Sequence, residues 1–416
     1  MSFDVAVIGG GPAGMMAAGR AGELGAKVVL IEKNKNLGRK LLLTGKGRCN
    51  LAKAEFNHKE FVKGFGKQGQ FLLSALSVFG IKETIEFFEK RGLKTKIERG
   101  KRVFPKSDKA RDVLNVLVNY LREGKVTILL GSRVTNFEVA NQKIIRAFIK
   151  GGRQIKAEKY ILCSGGKSYP QTGSTGDGFR WAEKLGHSVT KLRPALVPFK
   201  IKERWVRQAQ GLALKNVKIT FFENKKKRVS KFGEALFTHF GLSGPIILEM
   251  SKKIGQLLDE KPPYSLKLFL DLKPGLDFQK LDRRVRRDFE KYRNKMFKNS
   301  LADLLPQKLI PVIVRLSGIN PGKKVNKITK NERQKLVKLL KNLEMTIVGL
   351  LGFDKAIITS GGISLKEIDS KTMKSKIIDN LYFAGEIIDL DGPSGGYNLQ
   401  LCWTTGFVAG QNTAGK

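Results

Sequence analysis

The 416-residue sequence has only three cysteines and three histidines, and its 37 acidic residues face 78 basic ones. Cys49, Cys163 and Cys402 lie far apart and form no CxxC pair. That spacing argues against a disulfide framework and a redox-active dithiol, and it suits a reducing cytosol. The histidines stand singly at 58, 187 and 239, no His/Cys/Asp cluster has metal-ligand spacing, and no metal is expected. No apolar run approaches the ~20 residues of a membrane span. The opening MSFDVAVIGGG carries no basic leader, so the expectation is a soluble, cytoplasmic protein. Hydrophobic residues still make up 41% of the chain, enough for real cores, and its length leads us to expect two or three lobes.

Positive charge is what the chain has in excess, with a formal net charge of +41. Between Lys191 and Met345, 37 Lys and Arg stand against 14 Asp and Glu, a local excess of +23. A field of that size attracts nucleic acid, anionic lipid or acidic substrates. The competing reading is a lysine-rich surface, because basic residues run through every segment.

Periodicity divides the chain. Phe3 to Ile8, Pro12 to Leu24 and Lys27 to Ile31 read as strand, helix, strand: a βαβ unit that implies a parallel sheet. A Gly- and Lys-rich loop spans Asn34 to Asn50. One apolar helical face is expected from Gln70 to Arg91 and a second helix from Lys109 to Arg122. Strands are expected at Val126 to Leu130, Val134 to Val139, Ile144 to Ile149 and Tyr160 to Cys163, the first three as a β-meander. From Lys191 short β-rich runs suggest a small sheet or barrel, and Asp277 to Leu305 and Lys327 to Leu343 read as charged helices. The run Lys225 to Arg228 reads as a hairpin tip. After Met345 the chain turns apolar and glycine-rich, ending in a helix from about Leu399. The expected organisation is a discontinuous α/β domain, 1–190 with 346–416, around an inserted β-rich and helical substrate or cap lobe, 191–345.

Three motifs carry chemistry. Gly9-Gly10-Gly11-Pro12-Ala13-Gly14 is a GxGxxG where a strand ends and a helix begins. Gly9 permits the tight turn, Gly11 lets a pyrophosphate reach the backbone, and Gly14 lets helix and strand pack closely. The phosphates would then lie on the helix N-terminus. Glu32 closes the second strand at the distance where a carboxylate accepts from both ribose hydroxyls, which favours FAD or NAD over NADP. At the far end, a strand ends in Ala384-Gly385-Glu386, and Gly395-Gly396-Tyr397-Asn398 opens a helix. Glu386 can hold ribityl hydroxyls, and the N–H groups of Gly396, Tyr397 and Asn398 can face the flavin edge that becomes anionic on reduction. A nicotinamide domain does not need this return, so FAD is the expected cofactor. The third motif, between these two in the chain, follows Lys33. It contains Arg39, Lys40, Thr44, Gly45, Arg48, Cys49 and Asn50, and can meet the pyrophosphate and then run under the flavin ring. Cys49 is either a redox thiol or a small residue packed near the ring. Gly165-Gly166, with the turns that follow, reads as a strand exit and helix start near the FAD phosphates or ribose. It is not a second GxGxxG, so no separate NAD lobe is expected. His239 is either a general acid or a packed residue holding its Thr-His-Phe-Gly turn; His58 and His187 read as surface or core residues.

The segments GRKLLLTGKGRCN, GKRVFPKSDKARDV, FTHFGLSGPIIL and GGISLKEIDSKTMKSK with NLYFAGEIIDLDGPSGGYNLQLCWTTGFVAG closely resemble the bacterial BaiN-like flavoproteins. The resemblance runs from Val5 to about Gly410 and is thin between Ile254 and Leu343. It implies an α/β fold, a Rossmann-like FAD-binding domain of the glutathione-reductase-like superfamily with an inserted β-barrel-like and helical domain. It also implies an NAD(P)/FAD-dependent oxidoreductase, and it maps the family's fingerprint onto Gly9, Gly11, Gly14, Glu32, Gly395, Gly396, Tyr397 and Asn398. It does not bring one agreed substrate.

The expected activity is hydride transfer through flavin N5 between NAD(P)H or a small organic molecule and a second acceptor. The alternative is a basic flavoprotein that binds or modifies RNA, with Arg283 to Lys298 as its footprint. Acids such as Asp282, Asp288 and Glu290 are interspersed there, so any nucleic-acid binding is expected to be weak, non-specific and salt-dependent.

Overall fold

Val5 to Ile8 is apolar at every position, the pattern of a strand covered on both faces, and in the computed structural model all four residues are buried. The structure describes residues 2–223, 226–260 and 266–414. They form two compact units, 1–194 with 353–416, and 195–352.

In the first unit, β1 (Ser2–Ile8), α1 (Pro12–Glu23) and β2 (Val28–Ile31) form a βαβ unit in register Val5 to Val28 through Ile8 to Ile31. A small antiparallel sheet of β3 (Ala52–Lys53), β4 (Thr95–Glu98) and β5 (Arg102–Pro105) follows, interrupted by α2 (His58–Val62), α3 (Leu73–Val78) and α4 (Ile81–Lys90). The single helix expected from Gln70 to Arg91 is therefore broken. Gly80 adopts extended backbone, its N–H donates to Glu83, and α4 starts afresh there. The apolar period survives because both pieces face one core.

After α5 (Ala110–Glu123), β6 (Thr127–Leu129) pairs in parallel with β2. The expected meander is thus shifted by one strand. The antiparallel run is β7 (Val134–Ala140), β8 (Lys143–Ile149) and β9 (Gln154–Leu162), because a strand that follows a helix crossover returns parallel. β9 then lies parallel to β1, placing Cys163 beside Gly9 at the carboxyl ends. The sheet order is β6-β2-β1-β9-β8-β7. α6 (Asp177–Lys184) and β10 (Arg193–Ala195) complete the segment.

The second unit is a closed six-stranded barrel with helices. Its strands are β11 (Phe199–Ile201), β12 (Ala213–Glu223), β13 (Lys226–Phe237), β14 (Gly241–Ser243), β15 (Leu266–Asp271) and β16 (Leu343–Leu350). Its helices are α7 (Pro245–Glu260), α8 (Phe278–Lys291), α9 (Ile310–Ser317) and α10 (Lys330–Lys341). Ile219, Phe221, Leu268, Leu270, Met345 and Ile347 are all buried in its core. Lys225, the first residue of the expected hairpin tip, lies outside the described residues. The chain leaves this unit at 352, later than the expected 345, because β16 bonds on one side to β15 and on the other to β11, closing the barrel.

β17 (Ile358–Ser360) leads back, and β18 (Leu381–Phe383) pairs in parallel with β9. α11 (Tyr397–Ala414) then lies against α1. A Cβ at Gly406 or Gly410 would strike the carbonyl oxygens of Ala13 or Ala17, so the two helix backbones touch. Among the described residues, no helix is long and apolar enough to cross a membrane.

Candidate functional site

The glycine turn sits where β1 stops. Gly9 has φ +112°, and a Cβ there would strike the Cys163 carbonyl; a Cβ at Gly14 would strike the Gly9 carbonyl. Both positions require glycine on steric grounds alone. Gly11 differs, because a Cβ there would meet nothing within 4 Å. Its space is open, at the N-cap of α1 and just before Pro12 and Ala13. An open glycine at a helix N-terminus is what a pyrophosphate needs to reach the backbone.

Glu32 is buried. One carboxylate oxygen accepts from Gly10 N at 2.7 Å, and the other from Asn34 N and Nδ2, each at 2.7 Å. These contacts fix the carboxylate at the end of β2, and an oxygen with two lone pairs can still accept from ribose. Lys33 turns away from it, donating to Thr175 Oγ1 at 2.6 Å and to Asp177 Oδ2 at 3.0 Å. Asp177 is also paired with Arg133 and Arg180. Burial raises its pKa, but hydrogen bonds from Lys33 and Thr175 and the charges of Lys33 and Arg133 outweigh burial and lower it. Arg39 donates to Asn34 Oδ1 at 3.0 Å and bonds no closer to the turn.

The two ends of the chain meet at Lys40 and Glu386. The ammonium lies 2.6 Å from Glu386 Oε2, while Oε1 accepts from Thr359 N at 2.7 Å and Ser168 Oγ at 3.1 Å. Gly166 leaves room for this network, since a Cβ there would strike Thr359 Oγ1, and Gly165 turns the chain with φ +72°. Gly385 turns with φ +79° and donates to Thr405 Oγ1 at 2.9 Å.

Beside these lies the loop 44–50. Gly45, Lys46, Gly47 and Cys49 all have φ between +57° and +84°, a costly run for two non-glycine residues. Thr44 Oγ1 donates to Leu41 O at 2.6 Å. Arg48 ties the loop down: its guanidinium pairs with Glu98 and with Asp108 at 2.6 Å and lies over the Phe104 ring at 4.1 Å. With its amide nitrogen toward Ala52 O and Val103 O, Asn50 accepts from Gly396 N at 3.1 Å. The loop is thus tied to the start of α11. Cys49 is fully buried, and burial pushes its thiol up to about 12.

At the second glycine turn Gly395 and Gly396 have φ +106° and +101°, and a Cβ at Gly396 would strike Ala52. Tyr397 stacks on Phe61 with centroids 4.8 Å apart and meets Phe65 edge-on. Asn398 closes the loop before it, accepting from Gly392 N and donating to Gly392 O and Pro393 O. The side chains of Tyr397 and Asn398 therefore build the turn, and the Gly396 N–H is held by Asn50, not free for a ligand edge.

The side chains of Lys33 and Arg48, named from sequence for the cofactor, bond protein partners, and so does the side chain of Asn398, whose expected contact is its backbone N–H. The partners Asp177, Ser168, Thr359, Glu98 and Asp108 carry no signal of that role in the sequence, apart from the Gly173-to-Gly178 turn that brackets Asp177. His239 lies in the barrel unit, exposed, with its ring edge-on to Phe240. Its turn is held by Thr238, whose hydroxyl bonds Gly241, so the histidine does not hold it. His187 is buried with Nε2 2.8 Å from Ser375 Oγ. Among the described residues, no group of three or more His, Cys, Asp or Glu could hold a metal.

The residues present fit FAD: open space at Gly11, a fixed carboxylate at Glu32, and a second carboxylate at Glu386 where the chain returns to the sheet.

The HI0933-like protein Rossmann domain matches residues 3–412. The 3-dehydro-bile acid delta(4,6)-reductase of Clostridium scindens is 33% identical over 413 residues, 99% of this chain and 98% of that protein. The ribosomal RNA dihydrouridine synthase of Escherichia coli is 29% identical over 412 residues, 99% of this chain and 98% of its own length. Among solved structures, the 3-ketosteroid delta1-dehydrogenase of Sterolibacterium denitrificans shares the fold, with a TM-score of 0.57, 14% identity and 99% of each chain covered.

Proposed function

The chain belongs to the HI0933-like Rossmann family and is an FAD-dependent oxidoreductase, and from that premise we propose that it reduces a carbon–carbon double bond conjugated to a carbonyl. The observation that carries this reading is the state of the cysteines. All three are free, and burial pushes every thiol up, Cys49 and Cys402 to about 12. A protein thiolate relay is therefore disfavoured at neutral pH, which leaves the flavin itself to meet the acceptor.

The names of the relatives support that acceptor. A 3-dehydro delta(4,6) reductase and a dihydrouridine synthase both saturate a double bond conjugated to a carbonyl. Bound FAD supplies a two-electron carrier whose N5 passes hydride. Hydride goes to the carbon β to the carbonyl and a proton to the α carbon, and NAD(P)H is the proposed source of the electrons. In this chain Gly11 and the α1 N-terminus would hold the pyrophosphate, Glu32 the ribose, and Glu386, itself fixed by Lys40, Ser168 and Thr359, the ribityl hydroxyls.

The first substrate class is a small α,β-unsaturated ketone. A second reading, uracil within RNA, is favoured by the net charge of +41. The test is anaerobic reduction of the purified protein with NADH or NADPH, followed by mixing with enones and, separately, with uridine-containing RNA. Acceptor-dependent return of the oxidised flavin spectrum with a saturated product supports the proposal. Reoxidation no faster than in buffer by any conjugated acceptor sinks it.

A further inference from the structure

The second unit carries a surface that the flavin chemistry does not use. α8 buries Leu281, Val285, Asp288 and Phe289 and turns Gln279, Arg283, Arg286, Arg287 and Glu290 outward. Acids interspersed in this segment would be expected to neutralise its arginines, but in the structure each acid is already taken. Asp282 pairs with Arg333 of α10 at 2.8 Å, Asp288 with Arg284 at 2.9 Å and Glu290 with Arg293 at 3.3 Å. Asp277 and Asp303 are held by Lys280 and Lys291. Among the described residues Arg283, Arg286 and Arg287 have no ion-paired carboxylate, and their i, i+3, i+4 spacing puts them on one face.

On its buried side, α8 meets the Phe297 ring edge-on through Phe289, and separately, from Lys298 onward, the same unit has an open groove of about 850 Å³. Pro311, Val314 and Pro321 give it apolar walls, Lys298 and Arg315 give it charge, and Asn299 and Asn320 give it amide donors and acceptors. No acid lines it.

We propose that the outer face of α8, with Arg283, Arg286 and Arg287, forms a docking surface for RNA, with the groove at Lys298 and Arg315 of the same unit as a second contact. Guanidinium forks match phosphate oxygens bidentately. The apolar groove with its two amides suits an unstacked base, whose flat faces and polar edges need both kinds of contact. A lipid surface would require several large apolar side chains pointing outward, and α8 exposes a single one, Phe278, at its start. This inference rests on the second reading of the reaction, in which the reduced double bond belongs to a uracil in RNA.

The test uses the full-length FAD-bound protein and two triple variants. One is Arg283→Gln, Arg286→Gln, Arg287→Gln. The other removes three exposed lysines of the barrel, Lys200→Gln, Lys215→Gln and Lys218→Gln, for the same change in net charge. Binding of a tRNA pool and of a random RNA is measured by anisotropy across a salt series, beside vesicles containing phosphatidylserine. We expect the α8 variant to lower the slope of log affinity against log salt by about 2, at roughly 0.7–0.9 for each phosphate that is no longer neutralised. Its affinity should fall at least tenfold while reduction of a small enone is unchanged. Equal losses in both variants would mean a diffuse charge effect and would overturn the proposal, as would vesicle binding that depends on the same arginines while RNA binding does not. Failure of the wild-type protein to bind RNA at low salt also overturns it. RNA that binds through α8 but is not reduced keeps the surface and removes the uracil reading instead.

Discussion

The carboxylate of Glu386 is joined to the ammonium of Lys40 across 346 positions of sequence, at 2.6 Å. The pair is mostly out of solvent, with side-chain exposures of 21% for Lys40 and 16% for Glu386, and Thr359 and Ser168 occupy the other carboxylate oxygen. It ties the loop after β2 to the strand that returns from the second unit. Removing one partner leaves a half-buried charge incompletely compensated, which is costlier than removing both. Lys40→Met should lower stability by about 2 kcal/mol, after discounting for the solvent that still reaches the pair. Lys40→Met with Glu386→Gln should recover about half of that. Urea unfolding of the FAD-free proteins checks this, and a double variant no better than Lys40→Met alone would mean the pair is not coupled.

Gly11 and Gly14 should separate folding from cofactor binding. A side chain at Gly11 enters open space, so Gly11→Val should fold with nearly wild-type stability and yet retain no FAD after desalting. Gly14→Val collides with the Gly9 carbonyl and should yield little soluble protein. Glu32→Ala should retain more FAD than either, weakening it by about 1–3 kcal/mol because the ribose hydroxyls would lose their acceptor. Flavin released per mole of protein orders the three.

Cys49 should be chemically silent. Its thiol is fully buried and pushed up to about 12, so almost none is thiolate at neutral pH despite the hydrogen bond from Thr44. In the native protein, iodoacetamide at pH 7.5 should leave Cys49 unmodified by mass spectrometry, and denaturant should expose it. Cys49→Ser should keep most of the turnover with a conjugated acceptor. A loss of more than a hundredfold with FAD still bound would return the thiol to the chemistry.

What can be read from sequence follows the range of the forces involved. The turn at Gly9 to Gly14 is written locally, because a positive φ and a steric approach within six residues dictate glycine there. The return of α11 to α1 is legible as a second glycine turn before an apolar helix. Side-chain partners are not legible. Lys33, Arg48 and Lys40 look alike as basic residues near a phosphate turn. Asp177, Glu98 with Asp108, and Glu386 decide where each points, and those acids come 50 to 346 positions later. Asn398 has its side-chain partners close by, at Gly392 and Pro393, so the side chain closes its own turn, while the backbone N–H expected to face the flavin is a separate group. The last barrel strand, Leu343–Leu350, reads beyond Met345 as part of the returning tail because its sequence is as apolar as the strands that follow, and only its pairing with β11 and β15 reveals where it belongs.

His187 sets a pH dependence that should be visible in stability. Its ring is buried against Phe383, Nε2 is bonded to Ser375 Oγ, and Nδ1 has no partner, so protonation would place a charge where little compensates it. Burial lowers its pKa below the usual 6.5, and the nearby Glu367 carboxylate and the Ala182 backbone only partly offset this. The unfolded chain therefore binds the proton more readily than the folded one, and the neutral ring's share of stability is complete above 6.5. It is lost as pH falls below that value, until the folded-state pKa is passed. Urea midpoints should decline from pH 7.5 through 6.5 to 5.5 in the wild-type protein. In His187→Gln, which cannot charge, that decline should be clearly smaller, although the variant starts from a lower midpoint because its packing against Phe383 is gone. Equal declines in the two proteins would assign the pH sensitivity to other groups.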